Sequence, residues 1–383
     1  MVCMHTTELS TKGGRRTYLT AGATGEINNN PRYYHWRMAK RKYSAKRTNK
    51  IQPAVQTLYL VTPSVSQGAS GSSYVDLSQI ASLVNRRFYR QGINWAVAGF
   101  KFLTAEPTPG NTLIGSVTVE KLPNTWVMAN AWEKSMRTWN KMNREALAEA
   151  PSVRPKFLDF KIYADSGHHS SGFGDNLLPY TASGVATAGE WQPSKFVVPD
   201  TTSAAGGVNN FEVIATGASF PGGGNSGLNA VSLIEGYANS RGLPYTDDPN
   251  VPDDVADANG PTPENWLSAI FNEGTNQDDQ VLDDMRTEND QAPYPFENDG
   301  INNDTMYPGG GTQLSGLQIH DSSSYGATTI GGTTRIKGGN FPCGLVKITH
   351  AVSNESQAHS LAMIIDLVPG NHRGYLCEPM TEM

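Results

Sequence analysis

The feature that most constrains this chain is the separation of its charges. Residues 1–50 carry eleven Lys/Arg against two acids, Glu8 and Glu26, a net of +9. Residues 247–304 carry sixteen Asp/Glu against one base, Arg286, a net of −15. The rest is balanced, so the overall net charge of −6 conceals a basic leader, a near-neutral body and an acidic segment. The leader has few aliphatic side chains and cannot bury enough apolar surface to offset the entropy of ordering itself. It is expected to be a disordered arm when free, so the fold must be built from about residue 51 onward. The asymmetry points to a nucleic-acid or membrane-surface partner for the basic end.

In the body, 39 glycines and 23 prolines supply frequent turns between short apolar runs, which favours an all-β architecture. Strands are expected at Thr57–Val61, Trp95–Leu103, Leu113–Val119, Phe157–Tyr163, Lys195–Val198, Phe211–Thr216, Leu314–His320, Thr328–Lys337, Leu345–Ala351 and Leu361–Val368. The Gly/Ser-rich stretch from Pro63 to Ser73 reads as a loop. Apolar residues at helical spacing predict helices over Asp76–Arg90, with Asp76 or Ser78 as cap, over Thr125–Ala150, and over Leu228–Arg241. Thr262–Phe271 and Gln277–Glu288 are shorter helix candidates. The simplest organisation is the arm (1–50), a β-domain in two parts (51–220 and 305–383), and an acidic, partly helical insertion (221–304).

Enzyme chemistry finds little support. There is no Walker A loop, no dinucleotide fingerprint after a strand, no HExxH and no GxSxG. The pair His168-His169 would ligate a metal only if further ligands arrived from elsewhere. The acidic segment offers hard oxygens for calcium, but not in EF-hand order. Its bland reading is a solvated acidic surface. Cys3, Cys343 and Cys377 form no disulfide framework. No catalytic residue, metal or cofactor is assigned. The first thirty residues lack a signal-peptide core, and no apolar run is long enough to insert in a membrane.

The leader carries the strongest functional signal. Lys12, Arg15, Arg16, Arg32, Arg37, Lys40, Arg41, Lys42, Lys46, Arg47 and Lys50 are candidate phosphate contacts, each displacing condensed counterions. Tyr33, Tyr34 and Trp36 stand between cations and can stack on unpaired bases, which suits single strands better than duplex. The run Lys40-Arg41-Lys42 also fits a nuclear-import signal.

Six segments carry a family resemblance: Leu77 to Phe102, Lys121 to Trp139, Arg154 to His169, Gly227 to Gly242, Pro293 to Gly300 and Gly370 to Met383. They resemble capsid proteins of small circular, Rep-encoding single-stranded DNA viruses. The resemblance covers the body from about residue 77 and contains no catalytic motif. It implies a jelly-roll β-sandwich of two antiparallel sheets, about four strands each, with helices in the connecting loops. It also implies self-assembly into an icosahedral homo-oligomeric shell, an internal arm on the single-stranded DNA genome, and location in the virion and the host nucleus. Two rivals stay open on the residues alone: a non-viral single-strand-binding protein, and a carbohydrate-active or carbohydrate-binding β-sandwich.

Overall fold

The computed structural model describes residues 53–104, 113–148, 150–153, 158–199, 208–219, 222–241, 267, 316–326, 332–354 and 358–380. Its elements in chain order are β1 (Thr57–Val61), β2 (Ser70–Asp76), α1 (Leu77–Asn85), β3 (Ile93–Leu103), β4 (Ile114–Lys121), α2 (Trp126–Ala148), α3 (Ser166–Ser171), β5 (Tyr180–Thr181) and β6 (Gly184–Val185). They continue with β7 (Phe196–Pro199), β8 (Val208–Ile214), β9 (Ala230–Ser232), α4 (Leu233–Arg241), β10 (Gln318–Gly326), β11 (Thr333–Phe341), β12 (Leu345–Asn354), β13 (Ala362–Leu367), β14 (Pro369–Gly370), β15 (Gly374–Tyr375) and β16 (Cys377–Pro379).

Eight strands form the framework. Taken in chain order, β1, β2, β3, β4, β10, β11, β12 and β13 pair antiparallel, first with last, second with seventh, third with sixth and fourth with fifth. That nesting is one long hairpin. Rolled up, it gives the sheets β1-β13-β3-β11 and β10-β4-β12-β2, the jelly-roll order. Four strands per sheet agree with the sequence reading. In addition, β16 pairs with the start of β3, Cys377 opposite Trp95, beyond the point where β13 leaves it at Val97.

Alternation explains why these strands turn one face inward. In β1, Leu58 and Leu60 are buried while Thr57 and Tyr59 are exposed. Their partners Ile365 and Met363 in turn oppose Phe100 and Phe102, so rows of apolar side chains cross the sheet. They pack in one core with Val117 and Val119 of β4, Val346, Ile348 and Val352 of β12 and Tyr325 of β10 from the other sheet. Slipping any strand by one residue would turn its row outward, which fixes the register.

The helix α1 begins at Asp76, whose carboxylate accepts from the Ser78 and Gln79 N–H groups at 2.9 and 3.2 Å. Its second oxygen accepts from Gln91 Nε2 at 3.2 Å and Trp191 Nε1 at 2.9 Å. Burial pushes this carboxyl up to about 6, against the four donors that pull it down.

Several expectations are corrected. Ser70–Asp76 is a strand, although Ser70–Ser73 reads as loop; hydrogen bonding to β12 overrides weak local propensity. The helix expected from Leu228 begins at Leu233, because Ala230–Ser232 pairs parallel with β8. Of the strand expected at Phe157–Tyr163, Phe157 lies outside the described residues and Leu158–Tyr163 joins no sheet. Its polar backbone is satisfied irregularly, with Lys161 N–H on Ser194 Oγ and Ile162 N–H on Gln91 Oε1, and Tyr163 only bridges Ile214. The helices expected at Thr262–Phe271 and Gln277–Glu288 lie outside the described residues, except Leu267, which is helical and buried.

The excursion from the sandwich is also longer than the sequence reading. Lys121, the last residue of β4, pairs with Gln318, the first of β10, so residues 122–317 leave at the hairpin tip. Lys195–Val198 and Phe211–Thr216, expected within the β-domain, belong largely to this excursion's own sheet β7-β8-β9. A second core, in which Met128, Trp132 and Trp139 of α2 meet Phe160, Phe196, Phe211, Ile234 and Tyr237, joins it to Tyr74, Leu345 and Met380 of the sandwich and its last turns.

Candidate nucleic-acid interface

The chain enters the sandwich at Pro53–Gln56, and this segment is pinned on both sides. Val55 N–H donates to Asn85 Oδ1 at 3.0 Å, at the end of α1. Tyr375 OH donates to the Val55 carbonyl at 2.6 Å, and Asn85 Nδ2 donates to the same tyrosine oxygen at 2.7 Å. Arg87 Nη1 holds the Pro53 carbonyl at 3.1 Å and Gln56 Nε2 the Gly374 carbonyl at 3.2 Å. Tyr89, Tyr375 and Trp95 cluster there in tilted and edge-on contacts, with centroids 5.3 to 5.8 Å apart. These rings lie beneath the pinned segment Pro53–Gln56.

Around this point stand Arg86, Arg87, Arg90 and Arg373, all exposed. Arg86 ends α1 in the left-handed region (φ 51) and Arg373 turns the β14–β15 hairpin in the same region (φ 53). Both conformations push the side chain away from the regular element. Among the described residues, none of the four takes part in an ion pair. Three touch backbone carbonyls: Arg87 that of Pro53, Arg90 Nε that of Leu158 at 3.4 Å, and Arg373 that of Phe88. Each such bond uses one of five guanidinium donors. Burial, then the charges of Arg373 and Arg90, holds His372 below the usual imidazole value, so the field is positive enough to disfavour another cation.

The leader residues assigned from sequence, Lys12 to Lys50 with Tyr33, Tyr34 and Trp36, lie outside the described residues. So do the acidic residues 247–304 considered for calcium, apart from Leu267 within that span. The collar of four arginines was not among the sequence assignments. Its signal is Arg86-Arg87-Phe88-Tyr89-Arg90, cations interleaved with aromatics as in Arg32–Arg37. It was hidden because that run also completes the apolar spacing of α1.

The histidine pair has a different role. His168 and His169 are buried on α3, where Asp165 caps the helix by accepting from His168 N–H at 2.8 Å. His168 Nδ1 accepts from Ala164 N–H at 3.1 Å, which leaves Nε2–H to donate to Asn176 Oδ1 at 2.8 Å. Its ring stacks on Tyr74 at 4.4 Å. Burial holds it at about 4, neutral at physiological pH. His169 Nε2 lies 3.0 Å from Glu212 Oε2. Both rings tie α3 to the sheets beside it. Among the described residues no group of three or more His, Cys, Asp or Glu side chains could hold a metal ion, and no helix is long and apolar enough to cross a membrane.

No protein-family model, curated protein or solved structure matches this chain. The functional reading therefore rests on the fold and on the collar.

Proposed function

We propose that this chain is a capsid subunit that assembles into a closed shell and packages single-stranded nucleic acid through its basic leader. The observation that carries the reading is where the leader joins the body. A segment of net charge +9 precedes, in sequence, a jelly roll that presents four exposed arginines, Arg86, Arg87, Arg90 and Arg373.

The magnitudes suit packaging. Sixty copies bring ~540 net leader charges and 180 copies ~1,620, each able to neutralise about one phosphate. A flexible cationic segment can follow an irregular polymer that no rigid groove would fit. The jelly roll supplies the other half, because heterologous contacts around rotation axes close a shell from one kind of subunit. The preference for circular DNA and passage through the host nucleus follow from the resemblance, the latter with Lys40-Arg41-Lys42 as the import signal.

Electron microscopy of the expressed full chain tests the reading. Uniform closed particles containing nuclease-protected nucleic acid are expected. A full-length variant with the eleven leader Lys/Arg changed to Gln should close shells that carry little cargo. Monomers at every salt and pH, or unchanged cargo in that variant, would overturn it.

A further inference from the structure

At one end of the sandwich two crossovers run side by side. Residues 62–69 carry the chain from β1 in one sheet to β2 in the other, and the segment after Asn354 returns it from β12 to β13. They are zipped to each other. Thr62 N–H donates to the Leu361 carbonyl at 2.9 Å, Val65 N–H to that of His359 at 2.8 Å, and His359 N–H back to that of Val65 at 2.9 Å. Gly68 N–H reaches the Val352 carbonyl at 2.8 Å. Beside this zip stand three rings, Tyr325 of β10, His350 of β12 and His359 of the return crossover. Tyr325 lies 5.8 Å from His350 and 6.3 Å from His359, and the two imidazoles are 6.1 Å apart, centroid to centroid.

His350 is 1% exposed. Its Nε2 lies 2.5 Å from Tyr325 Oη, and that hydroxyl also donates to the Ala351 carbonyl at 3.2 Å. Its Nδ1 meets no hydrogen-bond partner among the described residues. The tyrosine comes this close because position 115 is glycine: a Cβ there would lie 2.2 Å from Tyr325 Oη. Among the described residues, the ionisable groups facing His350 are Tyr325 from β10 and His359 from the crossover. Its partners across the sheet, Gly71 of β2 and Val117 of β4, bring none. A neutral imidazole has one N–H to place, but an imidazolium has two, and only the tyrosine oxygen is there to accept. The cation would also stand beside a second histidine. Burial, and then His359, hold His350 at about 4 accordingly.

We propose that this cluster is an acid-operated latch on the paired crossovers. While His350 is neutral, the three rings pack and the crossovers stay zipped. A proton on His350 leaves a buried N–H without an acceptor beside another imidazole, and that strain is relieved when the crossovers part and admit water. The latch belongs to the single chain, so it goes beyond packaging and stands whether or not a shell forms. In a shell it would loosen one end of each subunit on acidification.

The test is hydrogen–deuterium exchange of the full-length protein at pH 7.5 and 5.5, corrected for intrinsic rates and read at the Val65, Gly68, His359 and Leu361 amides. The opened state binds a proton that the closed state refuses. A group that returns from about 4 to its ordinary ~6.5 on opening therefore makes opening up to about tenfold easier at pH 5.5. Corrected exchange at these amides should rise by that factor in the wild type. It should stay level in His350→Phe, which keeps a ring but cannot titrate. His350→Gln, which also cannot titrate, answers the same question if the phenylalanine variant does not fold. No rise in the wild type, or an equal rise in the variants, would overturn the latch. A rise shared equally by the β3 amides would overturn it too, since that marks unfolding of the whole sandwich.

Discussion

Changing Arg86, Arg87, Arg90 and Arg373 together to glutamine should alter the salt dependence of nucleic-acid binding by a calculable amount. Each cation that meets a phosphate of a single strand contributes about 0.7 to the slope of log affinity against log salt. Four should reduce the slope by about 2.8. At ~0.1 M salt that is roughly fivefold per arginine and several hundredfold for the set. The eleven leader cations remain, with a slope of up to ~7.7 if all engage, so binding is weakened but not abolished. The fold should tolerate the change. All four side chains are exposed and unpaired with carboxylates, and surface substitutions of this kind usually cost within ~0.5 kcal/mol each. Arg87, Arg90 and Arg373 are the ones to watch, because each also holds a backbone carbonyl.

The assay is fluorescence anisotropy of a labelled oligonucleotide of about thirty nucleotides, titrated at several salt concentrations, with a urea midpoint measured for both proteins. A slope that stays within ~0.5 of wild type, in a variant of unchanged stability, would refute the collar as a phosphate contact. A fall in affinity at all salts with no change in slope would also refute it, since that outcome points to a lost non-ionic contact.

Three further outcomes are expected. His168 is neutral in the fold, its value lowered from 6.5 to about 4; its contribution is therefore complete above pH 6.5 and falls by about 3 kcal/mol as pH drops toward 4, because the unfolded chain binds a proton the fold refuses. Asp76, raised from 3.8 to about 6, acts in the opposite sense over its own window, so the comparison to make is urea midpoints of wild type and His168→Gln from pH 7 to 4.5; parallel lines would sink the assignment. Asp76→Ala strips four buried donors of their acceptor and should cost about 3–5 kcal/mol in urea unfolding; a loss under 1 kcal/mol would mean the carboxylate is not the junction described. Gly338→Ala would place a Cβ 2.1 Å from the Val97 carbonyl oxygen across the β3–β11 ladder and should lower stability by about 1–3 kcal/mol, whereas Gly174→Ala, with nothing within 4 Å, should leave the melting temperature nearly unchanged.

The parts of the fold legible in the sequence are those where one local pattern decides. Thr57–Val61 and Leu361–Val368 alternate or run apolar, and they pair with each other as β1 and β13. The cap at Asp76 and the Met and Trp spacing of α2 are equally local. The failures occur where tertiary partners decide. Ser70–Ser73 has loop composition, yet it is part of a strand because β12 offers a complete ladder and Ser72 and Thr349 meet as a hydroxyl pair at 3.3 Å. Leu158–Tyr163 has the opposite fault: its apparent two-faced alternation dissolves because Phe160, Ile162 and Tyr163 are all buried. The collar follows the same rule. Arg86, Arg87 and Arg90 are neighbours in sequence, but Arg373 joins them only because Tyr89 OH bonds its carbonyl at 2.9 Å, across most of the chain.

The position of the excursion accounts for much of this geometry. A nested hairpin has one tip, and residues inserted there separate only β4 from β10, leaving the other ladders intact. Closing a long loop costs only logarithmically more than closing a short one, and β4 pairs with β10 along its whole length. An excursion at the tip is thus the least disruptive place for the sandwich to grow. It folds back onto the sandwich through a shared core with Tyr74, Leu345 and Met380, and α2 becomes one wall of a cleft whose other wall, Gly92 and Ile93 with His372, Arg373 and Pro379, belongs to the sandwich and its last turns. Neither part makes that cleft alone.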